Sequence, residues 1–122
     1  MCSYLNRFLN KVLFLDDKNP PWKCICTVSG YHSRTIFSVK WSKLNNLIAT
    51  GSADNSIHIF KESLSNEQFL SPDQMSLTLL HVQNEAHSQD VNCVDWNPTQ
   101  KGLLASCSDD GTIKIWRYTE ND

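Results

Sequence analysis

Nowhere does an apolar run approach the length that a bilayer demands. The longest, "VLFL" at residues 12 to 15, falls far short of the roughly 20 residues of a spanning helix and is brief even for a secretory leader. A marked excess of one charge is also missing. A formal charge of −2, with no local basic patch, gives no general pull on nucleic acid or anionic lipid, so proteins are the expected partners. There is no CxxC pair and no zinc-ligand spacing. The five cysteines, Cys2, Cys24, Cys26, Cys93 and Cys107, are odd in number and scattered, which argues for a reducing compartment and against a metal site. The Cys24-Ile25-Cys26 triplet comes nearest to a metal or redox pair. On a strand, however, its two thiols would share one face and pack as small apolar groups, and that reading is preferred. What remains is a chain of 122 residues, 40% hydrophobic and 20% charged, the composition of one ordinary globular domain.

The chain repeats itself. When "YHSRTIFSVKWSKLNNLIATGSADNSIHIF" is laid over "AHSQDVNCVDWNPTQKGLLASCSDDGTIKIW", His32 meets His87, Ile36 meets Val91, Val39 meets Val94 and Trp41 meets Trp96, all 55 apart. One inserted residue later, Leu47 meets Leu103, Ala49 meets Ala105, Asp54 meets Asp110 and Phe60 meets Trp116, now 56 apart. Catalytic sets are rarely duplicated at a fixed spacing, whereas structural units often are. Each copy holds three short runs of β-formers separated by turn chemistry, as in "VNCVDW", "LLASCS" and "TIKIW", and none shows a helical period. Asp110-Gly111 suits a two-residue hairpin turn because Gly accepts positive φ, and Asn55 tolerates the same region in the first copy. A fourth strand is expected before each histidine, "WKCICTV" at 22 to 28 and "LTLLHV" at 77 to 82. Four antiparallel strands per unit make a propeller blade.

These residues resemble the WD-repeat family, whose pattern is a Gly-His or similar pair, two apolar strands, an Asp in a tight turn and a closing Trp. The resemblance implies an all-β fold: a partial β-propeller of two four-stranded antiparallel blades, packed face to face, with an N-terminal remnant. It also implies a buried hydrogen-bonded tetrad in each blade, here His87, Ser106, Asp110 and Trp116, with Ser108 as an alternative hydroxyl. The first copy would use His32, Thr50 and Asp54, but closes with Phe60, which has no N–H to donate, so a shorter network is expected there. Such a set leaves few buried polar groups unpaired, since Asp accepts from His, His bridges to a hydroxyl and the indole N–H donates to that hydroxyl. A hydrolase built on Ser88, His87 and Asp90 is the competing reading, and adjacency in sequence counts against it because neighbouring nucleophile and base seldom point at each other. No catalytic, cofactor-binding or metal-binding residue is therefore assigned.

The expected organisation is a remnant over 1–21, a WD repeat over 22–61, an exposed loop over 62–76 and a second repeat over 77–118. The loop, "KESLSNEQFLSPDQMS" with its neighbours, carries the dozen or so residues by which this spacing exceeds the usual repeat. Its Phe69, Leu70 and Met75 are expected to tuck against their own blade, with a partner contact as the alternative. Apolar residues at 5, 8, 9, 12 and 13 favour a helix in the remnant, although "KVLFLDD" also reads as the third strand of a truncated blade. "IFSVKW" and "VNCVDW" are expected as inner strands buried on both sides. A closed propeller takes about four to eight blades, so these residues are expected to form the end of a longer ring and to associate when alone.

Over about residues 20 to 118, "PWKCICTVSGYHSRTI" and "AHSQDVNCVDWNP…GLLASCSDDG" further resemble the branch of the family that serves cytosolic iron-sulfur protein assembly. They include loop residues, Ser33, Arg34, Gln89 and Asp90, that the bare repeat does not require. This resemblance implies a non-catalytic scaffold whose partners are other proteins of the cytosolic iron-sulfur targeting complex. It implies no cofactor, no nucleic-acid, membrane or small-molecule partner, and a cytoplasmic and also nuclear place of action. A generic WD-repeat adaptor in a ubiquitin ligase or chromatin complex is the alternative.

Overall fold

Short β-rich runs broken by Gly, Asn and Asp leave room for little but strands. The computed structural model describes the backbone of residues 2–6, 11–16, 23–63 and 76–120, and the side chains of 26–62 and 76–120. Among the described residues ten strands follow in chain order: β1 Cys2–Asn6, β2 Lys11–Asp16, β3 Lys23–Ser29, β4 Ile36–Ser42, β5 Leu47–Ser52, β6 Ile57–Ser63, β7 Ser76–Gln83, β8 Val91–Trp96, β9 Leu103–Ser108 and β10 Ile113–Arg117. Among the described residues there is no helix. They form three sheets, β1-β2-β3, β4-β5-β6-β7 and β10-β9-β8, every pairing antiparallel.

Several expectations change. The helix favoured near the N-terminus is replaced by strands β1 and β2, paired from Cys2↔Leu15 to Asn6↔Lys11, so the truncated-blade alternative is the one realised. In place of two four-stranded sheets there is one, flanked by two of three strands. The cause is a phase shift between repeat and sheet. The strand before each histidine joins the preceding sheet: β3 pairs with β2, and β7 pairs with β6 from Ile57↔Gln83 to Ser63↔Ser76. Of the expected loop, residues 62, 63 and 76 are strand, while 64–75, including Phe69, Leu70 and Met75, lie outside the described residues.

The strands expected to be buried on both sides, β4 and β8, are edges of their sheets. That environment belongs instead to β5, whose six residues are all buried. Alternation along β5 sends Leu47, Ala49 and Gly51 to one face and Ile48 to the other. On the first face, Leu47, Ala49, Ile57 and Ile59 form one core with Ala86, Val91, Val94, Trp96 and Leu104 of the third sheet and the loop before it. On the second, Ile36, Ile48 and Phe60 pack with Val39, Leu77 and Leu79 of their own sheet and with Cys26 and Val28 of β3. The packing role expected for the Cys24-Ile25-Cys26 triplet is thus seen at Cys26.

The third sheet is also pinned to the second by polar contacts at the β4–β8 edge. The indole of Trp96, 8% exposed, donates to the Lys40 carbonyl at 3.1 Å, and Val94 N–H donates to Ser38 Oγ at 3.1 Å. Trp41, at the corresponding repeat position, faces a sheet with no such inner strand among the described residues and is 36% exposed.

Close approach at this junction depends on Gly51. A Cβ there would lie 2.8 Å from Val91 Cγ1 and 3.2 Å from Val94 Cγ1, so Gly51→Ala forces the buried Val91, or the strand that carries it, to give way. Overpacking of this kind costs about 1–3 kcal/mol. Urea denaturation of Gly51→Ala is expected to show a loss in that range. An unchanged midpoint would mean that the sheets are not in contact at this point.

Candidate functional site

Each copy places its histidine in the loop that enters a sheet and its acidic residue in a hairpin. The hairpins β5–β6 and β9–β10 are four-residue loops rather than the expected two-residue turns. Only one residue in each has positive φ, Asn55 at 68° and Gly111 at 80°. In these loops the carboxylate organises its own surroundings. Asp110 Oδ1 accepts from Thr112 N–H at 2.9 Å and Thr112 Oγ1 at 2.6 Å, and Oδ2 accepts from Ser88 N–H at 3.1 Å. Asp54 accepts in the same way from Ser56 N–H and Oγ and from Ser33 N–H.

The histidines complete the two sets. His87 Nδ1 lies 3.0 Å from Asp110 Oδ2 and its Nε2 lies 2.7 Å from Ser106 Oγ, which accepts from Trp116 Nε1–H at 2.8 Å. In the first copy, His32 Nδ1 lies 2.8 Å from Asp54 Oδ2 and Nε2 lies 2.7 Å from Thr50 Oγ1. Every group in the second set is satisfied when the imidazole is neutral with its proton on Nδ1: indole to hydroxyl, hydroxyl to Nε2, Nδ1–H to carboxylate. All seven residues expected to meet, His87, Ser106, Asp110, Trp116, His32, Thr50 and Asp54, are brought together in these two groups. Ser108, the alternative hydroxyl, lies apart from the histidine and accepts from Asp110 N–H. Thr112 and Ser56 were not expected. The signal for them is a hydroxyl two residues after an Asp in a turn, the Asx-turn arrangement.

Environment sets the charges. Hydrogen bonds from Thr112, joined by those from Ser88 and His87, outweigh burial and hold the Asp110 carboxyl well below the usual carboxylate range. Burial alone would raise Asp54, but bonds from Ser56, His32 and Ser33 overcome it and leave the carboxyl lowered. His32 is itself kept below the ordinary imidazole value by burial, against the pull of Asp54.

Ser106, His87 and Asp110 stand in the order of a nucleophile, base and orienting acid, at distances a hydrolase would use. Access is what differs. Ser106 is 2% exposed, and its Oγ already accepts the indole N–H. Ser88 and Asp90 of the competing reading do not assemble on His87: Ser88 contributes its backbone N–H to Asp110.

The first copy differs where Phe60 replaces the indole. There His58 stacks on His32, ring centroids 3.7 Å apart and planes 20° from parallel. His58 is 4% exposed, and its Nδ1 has no hydrogen-bond partner among the described residues. No repeat signal marks His58, since the second copy has Lys114 at that position. His32, Asp54 and His58 offer ligand atoms within 4.8 Å of one another, the one such cluster among the described residues. Nearly parallel rings, however, direct their in-plane lone pairs side by side instead of toward a shared point about 2.0–2.1 Å away, as zinc requires. Both nitrogens of His32 are already engaged. As arranged, the cluster suits a stacked neutral pair better than a metal.

Two outcomes test these sets. Ser106→Ala removes the acceptor of Trp116 and the donor to His87 together, and leaving such groups buried and unpaired costs about 1–3 kcal/mol. Thr50→Val, which strands no indole, is expected to cost less in the same urea titration, and equal losses would contradict the role given to Trp116. The second outcome concerns pH. Burial, then the proximity of His32, lowers His58 from 6.5 to about 4. Between those values the unfolded chain binds a proton that the folded chain does not, so stability falls as pH drops through this window and levels off below it. His58→Phe is expected to make that part of the profile shallower, leaving the share of His32, whose imidazole is also lowered, and the carboxylate-dependent loss at lower pH.

Comparison with known proteins agrees with this architecture. A family model described as WD domain, G-beta repeat matches residues 22–61 and 77–117. The chain is 50% identical over 102 residues to the probable cytosolic iron-sulfur protein assembly protein CIAO1 homolog of Nematostella vectensis, covering 84% of this chain and 30% of that protein. It is 49% identical over 100 residues to the probable cytosolic iron-sulfur protein assembly protein CIAO1 of Homo sapiens, covering 82% and 28%. Against the Ciao1 protein of Drosophila mojavensis it is 52% identical over 104 residues, covering 85% and 30%. The chain therefore spans less than a third of the length of these curated relatives. With two matched repeats, and the sheets they build, it belongs to the WD-repeat family.

Proposed function

We propose that this chain is part of a non-catalytic protein-binding scaffold of cytosolic iron-sulfur protein assembly, helping to pass preformed clusters to cytosolic and nuclear apoproteins while holding none itself. The observation that carries this is identity of about half over some 100 residues to proteins named for that assembly, spread over 82 to 85% of the chain. Structural tetrads alone would not demand so much. The closed state of the two polar sets favours a role in holding sheets together over one in turnover. Repeats over 22–61 and 77–118, joined through 62–76, are the units of this reading. Ser33, Arg34 and Gln89 are exposed, as residues available to protein partners must be. The cysteines lack the spacing of cluster ligands.

Proximity labelling with this chain in living cells, followed by mass spectrometry and iron analysis of the purified protein, tests the proposal. Cytosolic iron-sulfur assembly proteins are expected among the labelled set, and iron well below one equivalent. Labelling confined to ubiquitin-ligase or chromatin components would assign the chain to a different complex. Stoichiometric iron would refute the scaffold reading.

A further inference from the structure

Two of the cysteines, fourteen residues apart in the chain, meet in the fold. Cys93 on β8 and Cys107 on β9 are direct partners in the antiparallel ladder, and the register runs unbroken from that pair through Val94↔Ser106 and Asp95↔Ala105 to Trp96↔Leu104. Residues opposite each other in such a ladder project their side chains to the same face, with Cα atoms about 4.5 or 5.5 Å apart. Both separations fall inside the range of about 4.4–6.8 Å that a disulfide spans. Both thiols are free. The matching rung of the middle sheet is Ser38↔Gly51, with Cys93 standing 55 residues after Ser38 and Cys107 standing 56 after Gly51. A blade therefore needs sulfur at neither place.

We propose that Cys93 and Cys107 form a reversible disulfide on attack by hydroperoxides, an oxidant-responsive site that stands independently of the scaffold reading. Cys93 reacts first. It is the more exposed of the two and lies on β8, an edge strand of its sheet. Only weak contacts hold its sulfur at the β4–β8 edge: Ser38 Oγ–H donates to Sγ at 3.9 Å, and the S–H donates to the Val94 carbonyl at 3.7 Å. The Cys93 thiolate attacks one oxygen of hydrogen peroxide, the O–O bond breaks, hydroxide leaves and the sulfur becomes a sulfenic acid. Rotation about χ1 then carries that sulfur from the β4–β8 edge toward Cys107. The Cys107 thiolate attacks it, the S–S bond forms, and the S–O bond breaks to release a second hydroxide. Protons given up by the two thiols convert both hydroxides to water, so two thiols are oxidised to one disulfide while one peroxide is reduced to two waters. A further thiol reverses the step by exchange. In a reducing compartment, which the odd and scattered cysteines suggest, disulfides are usually transient and redox-sensing.

Treatment of the 122-residue chain with equimolar hydrogen peroxide, then alkylation of the remaining thiols and peptide mapping by mass spectrometry, tests this. The expected product has lost two hydrogens and carries Cys93 linked to Cys107, with Cys2, Cys24 and Cys26 alkylated. A thiol on the adjoining strand acts at an effective concentration of millimolar order, so in a micromolar solution the link is expected to outrun pairing between chains by about 1000-fold. Dithiothreitol is expected to restore both thiols. Cys107→Ser is expected to hold Cys93 as a sulfenic acid that dimedone traps. Cys93→Ser, which installs the residue that the middle sheet already has at this rung, is expected to remove that adduct and the link. Mapping of the wild-type chain decides the matter even where a variant does not fold. No link, Cys93 joined to another cysteine or to a second chain, or Cys93 driven to a sulfinic acid beside a free Cys107 would each overturn the proposal. The same treatment in denaturing urea is expected to lose the preference for this pair, and a preference that persists there would show that the strand register is not its cause.

Discussion

A sheet that is apolar on both sides must be covered on both, and the organisation of this chain follows from that requirement. Among the described residues, the middle sheet is the one that meets it fully. All six residues of β5 are buried, with Ile48 on one side and Leu47 and Ala49 on the other. An apolar side chain withdrawn from water contributes about 1.5–3 kcal/mol, so each sheet gains most when it has a neighbour on either side. Propeller geometry is the arrangement in which every sheet does.

Hydrophobic cover alone would let the sheets slide and the entering loops wander. The buried His–Asp sets prevent the second of these. Each carboxylate gathers two main-chain N–H groups, one from the histidine's loop and one from the hairpin, along with a hydroxyl and an imidazole. A loop that enters the sheet is thereby tied to a hairpin more than twenty residues further on. The depressed carboxyls follow from this, because the ionised form is the one that the surrounding donors favour. The resemblance of Ser106–His87–Asp110 to a catalytic triad shows that hydrogen-bond geometry is shared between the two uses, and that solvent access separates them.

Much of this was legible in the sequence because the repeat marks it twice. His32 and His87, Asp54 and Asp110, and the hydroxyls at 50 and 106 recur at fixed offsets, and Phe60 opposite Trp116 identified the copy lacking an indole donor. The phase of the sheets was not legible. Whether β3 and β7 pair forward or backward depends on contacts distant in sequence, and a repeat boundary carries no information about them. The helical spacing near the N-terminus misled for a related reason: apolar residues at 12 and 13 satisfy both periods, and the pairing of β2 with β1 and β3 decides between them. His58 was hidden because it has no counterpart. A feature present in one copy alone cannot be recovered by comparing the copies.

The junction between the second and third sheets rests partly on the Trp96 indole and the carbonyl of Lys40. That acceptor belongs to the main chain, which every residue type carries. The side chain at position 40 is exposed, so it is free to drift in evolution without loosening the joint. A joint of this kind accepts unlike neighbours, as long as the adjoining strand keeps its path. Blades held this way can be duplicated, shuffled or given new surface chemistry one at a time, which suits a fold that serves many different assemblies.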